Sequence, residues 1–394
     1  MVDISVDLLG IKLNSPVILA SCAMCNSGEK IKKFTLEGKP AAAITKSISV
    51  DMGRKWGRGS KQPSPRNHWV NMYPNVCVEK GEPITCEEWF QNEIPFAVQG
   101  NVPVIGSVSG SANLSELIYI STELEKAGVS MIELNFGTGH AGDYGHGKYV
   151  LDVGMGPTLV GRLKKILKIP IIVKFPYYYT PETIKMAKEI ESGGGDAISV
   201  LNGPQATAVD VEVGRIPLGT AHRSGAINGP ALKPLALRMV KDMALNVKIP
   251  IIGIGGVTTG LDVIEYIMVG ATCVQVASAA MIEGPKIFKR IEREIKEFMM
   301  RKGYETLSQI RGIALKDIGN DCFTPHTAIV NDELCTGCGQ CETICTSIVP
   351  RLPAAIRVNK ESNTAEVDEE KCEGCGWCVS RCPQNAIKLK GWSI

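Results

Sequence analysis

The sequence predicts an α/β chain in two parts: a (β/α)8 TIM barrel, then a small α+β domain built around cysteines. Three observations carry this. The segments Val102-Pro-Val-Ile-Gly-Ser-Val, Ile169-Pro-Ile-Ile-Val-Lys-Phe and Ile249-Pro-Ile-Ile-Gly-Ile-Gly echo one another, each a short β-branched run entered by a proline. Such runs suit strands buried on both faces of a parallel sheet. Amphipathic helical patterns alternate with them. Near the C-terminus stand two runs of four cysteines.

Taken in order, Ile4–Pro16 has the pattern of a short hairpin that closes the barrel floor. Eight strands are predicted at Val17–Ala20, Ala42–Lys46, Pro103–Ser107, Met131–Asn135, Ile171–Lys174, Ala197–Leu201, Ile251–Ile254 and Cys273–Ala277. Helices are expected at Ser111–Ala127, where Leu114, Leu117, Ile118 and Leu124 share a face, and at Pro181–Ser192, with Ile184, Ala187 and Ile190. A third, Pro285–Arg301, carries the stripe Ile287, Phe288, Ile291, Ile295 and Phe298. Eight strands alternating with helices over this length fit a closed barrel better than an open doubly wound sheet. The segments Ser47–Pro83, Phe136–Pro157 and Asn202–Gly229 are read as long loops after strands two, four and six. In such barrels the active site is built from loops at that end. The expected boundaries are a barrel over residues 1–312, an irregular linker over 313–330 and the cysteine domain over 331–394.

The cysteine runs are Cys335-x2-Cys338-x2-Cys341-x3-Cys345 and Cys372-x2-Cys375-x2-Cys378-x3-Cys382-Pro383. Each has the spacing that wraps a 4Fe–4S cube, and the tandem predicts a ferredoxin-like module with two clusters. In that arrangement the fourth cysteine crosses over. Cys335, Cys338, Cys341 and Cys382 are therefore assigned to one cube, and Cys372, Cys375, Cys378 and Cys345 to the other. Gly337, Gly339, Gly374 and Gly376 let the backbone curl around the clusters. Thr346 stands where the second run has Pro383, which removes no ligand. Structural zinc more often spreads its ligands as separated pairs, and disulfides suit small secreted domains.

Bulk composition narrows the function classes. Hydrophobic residues make up 44% and charged residues 21% of 394 residues, which suits a globular protein with a large core. A formal charge of +2 gives no support to nucleic-acid binding. No apolar run reaches the ~18 residues of a membrane span, and no signal peptide is evident at the N-terminus. Eight of the 14 cysteines lie in the two runs, and the other six are scattered, as expected for reduced thiols in a cytoplasmic protein. Cys22-x2-Cys25 has redox spacing but no matching partner run, and reads as two ordinary thiols.

Several polar residues leave apolar strands where a cofactor would lie. Gly255-Gly256 follows strand seven and Ser278-Ala279 follows strand eight, the expected place for a phosphate group. Lys46 and Lys174 end strands two and five, and a lysine emerging from an apolar strand must reach a polar partner. A flavin ring, which accumulates negative charge near N1 on reduction, would be such a partner. Asn135 and Asn202 also leave strand ends, each able to donate to and accept from a planar heterocycle. No Gly-x-Gly-x-x-Gly sits between a strand and a helix, so no nicotinamide or FAD domain is expected in this chain.

The ordered set Ala20-Ser21, Thr45-Lys46-Ser47, Glu133-Leu134-Asn135, Val173-Lys174, Leu201-Asn202, the stretch from Gly225 to Arg238, Gly253-Ile-Gly-Gly256 and Val276-Ala-Ser-Ala279 resembles the dihydroorotate dehydrogenase family. The appended module makes the chain most similar to the subunit of bacterial NAD-dependent dihydropyrimidine dehydrogenases that carries FMN and iron–sulfur clusters. The resemblance spans essentially the whole chain. It implies FMN held by Ala20, Ser21, Lys46, Ser47, Asn135, Lys174, Asn202, Gly225, Gly255, Gly256, Ser278 and Ala279. It also implies a pyrimidine ring held by Asn71, Asn135 and Asn202. Two departures matter. The family usually has Cys or Ser as acid/base after the strand-four asparagine, where this chain has Thr138, a poor proton donor without a relay. His140, Tyr144 and His146 lie in the same glycine-rich stretch, and His140 joins Thr138 and Lys46 as a catalytic candidate. Asn202 is followed by Gly203 rather than the usual Thr or Ser.

The expected activity is therefore that of an FMN and iron–sulfur oxidoreductase working on a CH–CH or C=C bond next to a carbonyl, on a pyrimidine-like small molecule. A non-pyrimidine conjugated carbonyl substrate, or an electron-relay subunit of a larger complex, are the alternatives. An FAD/NAD(P)H-binding partner subunit or a ferredoxin is implied, and an oligomer is expected.

Overall fold

A computed structural model describes residues 2–50, 71–73, 84–109, 114–136, 155–177, 181–207, 209–216, 225–316, 318, 327–348 and 354–391. The chain divides into two compact units, Met1–Ile318 and Gly319–Ile394.

The first unit is a closed barrel of eight parallel strands with helices between them. The strands are β1 (Val17–Leu19), β2 (Ala43–Ile44), β3 (Val104–Ser109), β4 (Met131–Asn135), β5 (Ile171–Phe175), β6 (Ala197–Val200), β7 (Ile251–Ile254) and β8 (Cys273–Val276). They follow chain order round the barrel, and β8 closes it by pairing Val274 with Val17 and Val276 with Leu19. β1, β2 and β4 to β8 are buried along their whole length, and β3 up to Val108, as their near-continuous apolar runs require. The hairpin Val6–Leu8/Ile11–Leu13 inserts fully buried Leu8 and Leu13 into a layer formed by Ile18, Ile44, Ile105, Met131, Ile172, Ala197, Ile252 and Cys273. That layer is apolar and seals the floor.

The helices are built as their sequences suggest. Leu114–Ala127, Pro181–Ser192 and Ile287–Lys302 bury one stripe each. Gly260–Met268 begins with a capping box in which Thr259 and Asp262 exchange side-chain-to-backbone hydrogen bonds. Its Gly260 packs against the backbone of Ile291 and Ile295, where an added Cβ would lie 2.8 Å from the Ile295 nitrogen.

Two elements depart from the sequence-based expectation, both at the C-terminal end of the barrel. β2 stops at Ile44 because the chain bulges at Thr45–Ser47 before Ile48 rejoins β3 through a hydrogen bond to Ser107. Within the bulge the Lys46 amide bonds to the Cys25 carbonyl instead of to a strand. Residues 202–229 are not simply a loop. Gln205–Ala206 and Gly225–Asn228 pair antiparallel, and Asn71–Tyr73 adds a third strand with Asn71 opposite Asn228. The segments after β2 and β6 are thus joined in one small sheet. The pattern was hidden because its strands are two to four residues long.

The second unit contains two hairpin-like pairs, Ala328–Val330 with Ile387–Leu389 and Ile356–Asn359 with Thr364–Val367. Helices Gln340–Ile348 and Trp377–Arg381 pack beside them. The first helix runs on through Thr346, whereas the second ends before Cys382-Pro383, as proline demands.

Candidate functional site

Above the apolar floor, the barrel interior turns polar. Side chains alternate along each strand, so two residues beyond Ile105, Met131, Ile172, Ala197 and Cys273 come Ser107, Glu133, Lys174, Ser199 and Gln275. All five are buried. Glu133 is fully buried and accepts hydrogen bonds at Oε2 from Ser199 Oγ at 3.1 Å and Gln275 Nε2 at 2.8 Å. Its Oε1 has no hydrogen-bond partner, and the Lys174 ammonium stands 3.6 Å away. Lys174 is itself only 4% exposed. A buried pair of this kind anchors the charge of Lys174 at the upper end of β5 without placing it in water.

The next layer up is a chain of hydrogen bonds across four strands. Ser107 Oγ lies 2.9 Å from Ser47 Oγ, Asn135 Nδ2 donates to Ser47 Oγ at 2.8 Å, and Asn202 Nδ2 donates to Asn135 Oδ1 at 2.9 Å. The bulge after β2 brings Ser47 into this line. Thr45 supports it by accepting the Ser107 amide at 2.9 Å. Lys46 is half-buried at the same end of the barrel.

Gly255 and Gly256 both adopt positive φ, 131° and 67°. A Cβ on Gly256 would come within 2.8 Å of the Lys233 Cβ and 2.9 Å of the Gly229 oxygen, so only glycine fits. Lys233 is held by Asp262 at 2.7 Å and Glu265 at 2.8 Å. Burial works against the charge of Asp262, yet hydrogen bonds from Lys233 and Thr258 hold its carboxyl below the usual carboxylate range. Ser278 opens the short helix Ser278–Glu283, with Ala279 buried behind it. Ala20 ties β1 to β8 through its amide and the Val276 carbonyl at 3.0 Å, and Ser21 follows half-buried.

The structure therefore brings Ser47, Asn135 and Asn202 into contact, with Lys174 beside Asn135 in register. Gly225 and Asn71 lie on adjacent pairs of the small sheet. Thr138, His140, Tyr144 and His146 fall outside the described residues. The residues that sequence reasoning missed are Glu133, Ser107, Ser199 and Gln275. Their signal was a polar residue two positions after an apolar floor residue on five strands.

Gly203 has a structural reason. A Cβ there would lie 2.2 Å from the Ile227 oxygen, because Ile227 also bonds the Pro204 carbonyl through its amide at 2.9 Å. Changing Gly203→Thr, the side chain usual in the family, is expected to open the small sheet and lower the thermal midpoint by several degrees, about 1–3 kcal/mol of overpacking. An unchanged midpoint by calorimetry would contradict the close approach.

In the second unit, Cys335, Cys338, Cys341 and Cys382 line one cavity, while Cys345, Cys372, Cys375 and Cys378 line another. This is the crossed partition. Gly337, Gly339, Gly374 and Gly376 all have positive φ, from 64° to 76°. Backbone amides of Ala365, Ala355, Ala328 and Ala386 point at the sulfurs of Cys335, Cys345, Cys372 and Cys382 at 3.3–3.4 Å. Such bonds favour thiolate and cluster sulfur. Among the described residues, no three His, Cys, Asp or Glu converge on a point that would hold a single metal ion. Cysteines spread around a cavity fit a cube rather than zinc.

Residues 3–299 match the dihydroorotate dehydrogenase family. The chain belongs to that family. Residues 365–388 match the 4Fe-4S binding domain. The chain is similar to the catalytic subunit of dihydroorotate dehydrogenase B (NAD(+)) from Methanosarcina mazei, 33% identical over 78% of this chain and 94% of the relative. The corresponding subunits of Pyrococcus furiosus and of a Geobacter species are 31% and 32% identical, over 80% and 79% of this chain and 99% and 97% of their own lengths. As a dihydroorotate dehydrogenase-family flavoprotein with an iron–sulfur domain, the chain is an oxidoreductase of the CH–CH class. These matches identify the family and do not single out the dihydropyrimidine dehydrogenase subunit that the C-terminal module suggested. No helix among the described residues is long and apolar enough to cross a membrane.

Proposed function

We propose that this dihydroorotate dehydrogenase-family chain is an FMN and iron–sulfur oxidoreductase that reduces the C=C bond, or oxidises the CH–CH bond, beside a carbonyl of a pyrimidine, in the manner of dihydropyrimidine dehydrogenases. The observation that carries the reading is the pairing of a buried Lys174–Glu133 charge with the Ser47–Asn135–Asn202 hydrogen-bond chain directly above it. An apolar or merely structural barrel has no use for a lysine held at its centre. The glycine-only turn at Gly255–Gly256 fits a flavin phosphate at this end, and the Lys174 ammonium held by Glu133 fits the flavin ring.

Gly255, Gly256, Ser278 and Ala279 would hold the phosphate, and Ala20, Ser21, Lys46 and Gly225 would line the ring and its chain. Lys174 would place positive charge near N1. Asn135 and Asn202 would present donors and acceptors to a pyrimidine, together with Asn71. When bound, FMN supplies hydride transfer, and two 4Fe–4S clusters on the crossed cysteine sets supply one-electron exchange with an outside protein. Thr138 and His140 are the candidates for moving the substrate proton. The absence of any nucleotide-binding glycine motif in the sequence leaves NAD(P)H and FAD to a partner subunit, or electrons to a ferredoxin.

Acid release of the chromophore tests the cofactor directly. FMN stoichiometric with the chain is expected. A protein left colourless once the iron and sulfide are extracted would contradict it.

A further inference from the structure

The thiols Cys22 and Cys25 are not used by the proposed chemistry, yet they sit against its cofactor cradle. Cys22 precedes and Cys25 ends the 3-10 turn Ala23–Cys25, immediately after Ala20-Ser21, and the Cys25 amide bonds the Cys22 carbonyl at 3.0 Å. One 3-10 turn rises about 6 Å. That matches the roughly 4.4–6.8 Å between Cα atoms of a disulfide. The Cys25 S–H donates to the Ala20 carbonyl at 3.4 Å, with the Cys22 thiol beside it. The Cys25 carbonyl in turn holds the Lys46 amide at 2.8 Å. The pair thus bridges two residues of the cradle.

We propose that Cys22 and Cys25 form a peroxide-responsive dithiol–disulfide site beside the cofactor cradle. Cys22 is the attacking sulfur. The hydrogen bond from Cys25 lowers its thiol below the usual range against the opposing effect of burial, and the charges of Lys46 and Lys174 act in the same direction. Cys25, buried and bonded the other way, is pushed well up and serves as the resolving thiol. The Cys22 thiolate takes one oxygen from hydrogen peroxide, giving a sulfenic acid and hydroxide. The Cys25 sulfur then displaces that oxygen, leaving as water with the Cys25 proton, and the disulfide forms. Overall, two thiols lose two electrons and two protons while one peroxide becomes two waters. Cys22 keeps 6% of its surface exposed and Cys25 none, so a small oxidant meets Cys22 first and bulky disulfides are disfavoured. Oxygen that reaches a reduced flavin generates peroxide, so the site would sense idling of the enzyme. In that respect the inference rests on the proposed cofactor.

The test uses the full protein with its clusters, treated anaerobically with equimolar hydrogen peroxide, alkylated and digested with trypsin. Residues 13–30 contain no internal Lys or Arg, so both thiols fall in one peptide. That peptide is expected to emerge two hydrogens lighter and unalkylated, and to be restored by dithiothreitol. Cys86 and Cys273 are buried, are each pushed to about 12, and serve as internal controls. They are expected to react at least about tenfold more slowly. In Cys25→Ser the peptide should instead gain oxygen on Cys22, and in Cys22→Ser the Cys25 thiol should remain alkylatable. Recovery of the wild-type peptide with both thiols free, or oxidation no faster than Cys86 and Cys273, would overturn the proposal. The peptide masses do not depend on bound flavin, so failure here and absence of FMN on acid release are separate results.

Discussion

Lys174→Met is expected to destabilise the barrel by about 3–5 kcal/mol, the cost of leaving one member of a buried ion pair alone. Glu133 would keep its bonds to Ser199 and Gln275 but lose the Lys174 ammonium 3.6 Å from its other oxygen. Its carboxylate sits at zero exposure. The double variant Lys174→Met/Glu133→Gln removes both charges, and the glutamine amide oxygen can still accept from Ser199 and Gln275. It should recover most of the lost stability without recovering flavin. Urea unfolding followed by circular dichroism, with flavin content measured in parallel, checks both statements. Equal stability of the single and double variants would show that the two charges do not interact.

Cys345→Ala is the second large effect. In sequence, Cys345 ends the run that begins at Cys335, yet in space it lines the cavity of Cys372, Cys375 and Cys378. Its loss should therefore remove the cluster of the second run and leave that of the first. Iron should fall from about eight atoms per chain to about four. The pairing is decided by combining it with Cys338→Ala. With the two cysteines serving different cubes, as proposed, the double variant should lose nearly all iron. If Cys345 belonged to the first cube, the double variant would keep about half.

The fold was legible because burial on both faces forces continuous apolar strands, and Val102, Ile169 and Ile249 each mark one by the proline that follows. The iron–sulfur domain was legible because the geometry of a 4Fe–4S cube sets the spacing of the cysteine runs. What escaped notice has local causes. Thr45–Ser47 leave β2 through a bulge whose bonds go to Cys25 and β3, partners that no periodicity reveals. Gln205–Ala206 is too short to show alternation, and it exists only because Gly225–Asn228 and Asn71–Tyr73 come beside it. Glu133 stood in the motif from the outset, but its burial against Lys174 depends on the register of β4 with β5, set by the closed barrel. Gly203, which departs from the family's usual Thr or Ser, is a place where only hydrogen fits.

The central claim is that this barrel exchanges electrons with a pyrimidine. The direct measurement is anaerobic: the protein is reduced chemically, excess reductant is removed, and flavin and cluster absorbance is followed as uracil, thymine or orotate is added. Reoxidation in proportion to the pyrimidine, with the dihydropyrimidine recovered, is the predicted result. A protein with FMN confirmed that stays reduced with all three would contradict pyrimidine specificity and leave another conjugated carbonyl compound, or a relay between proteins, as the source and sink of its electrons.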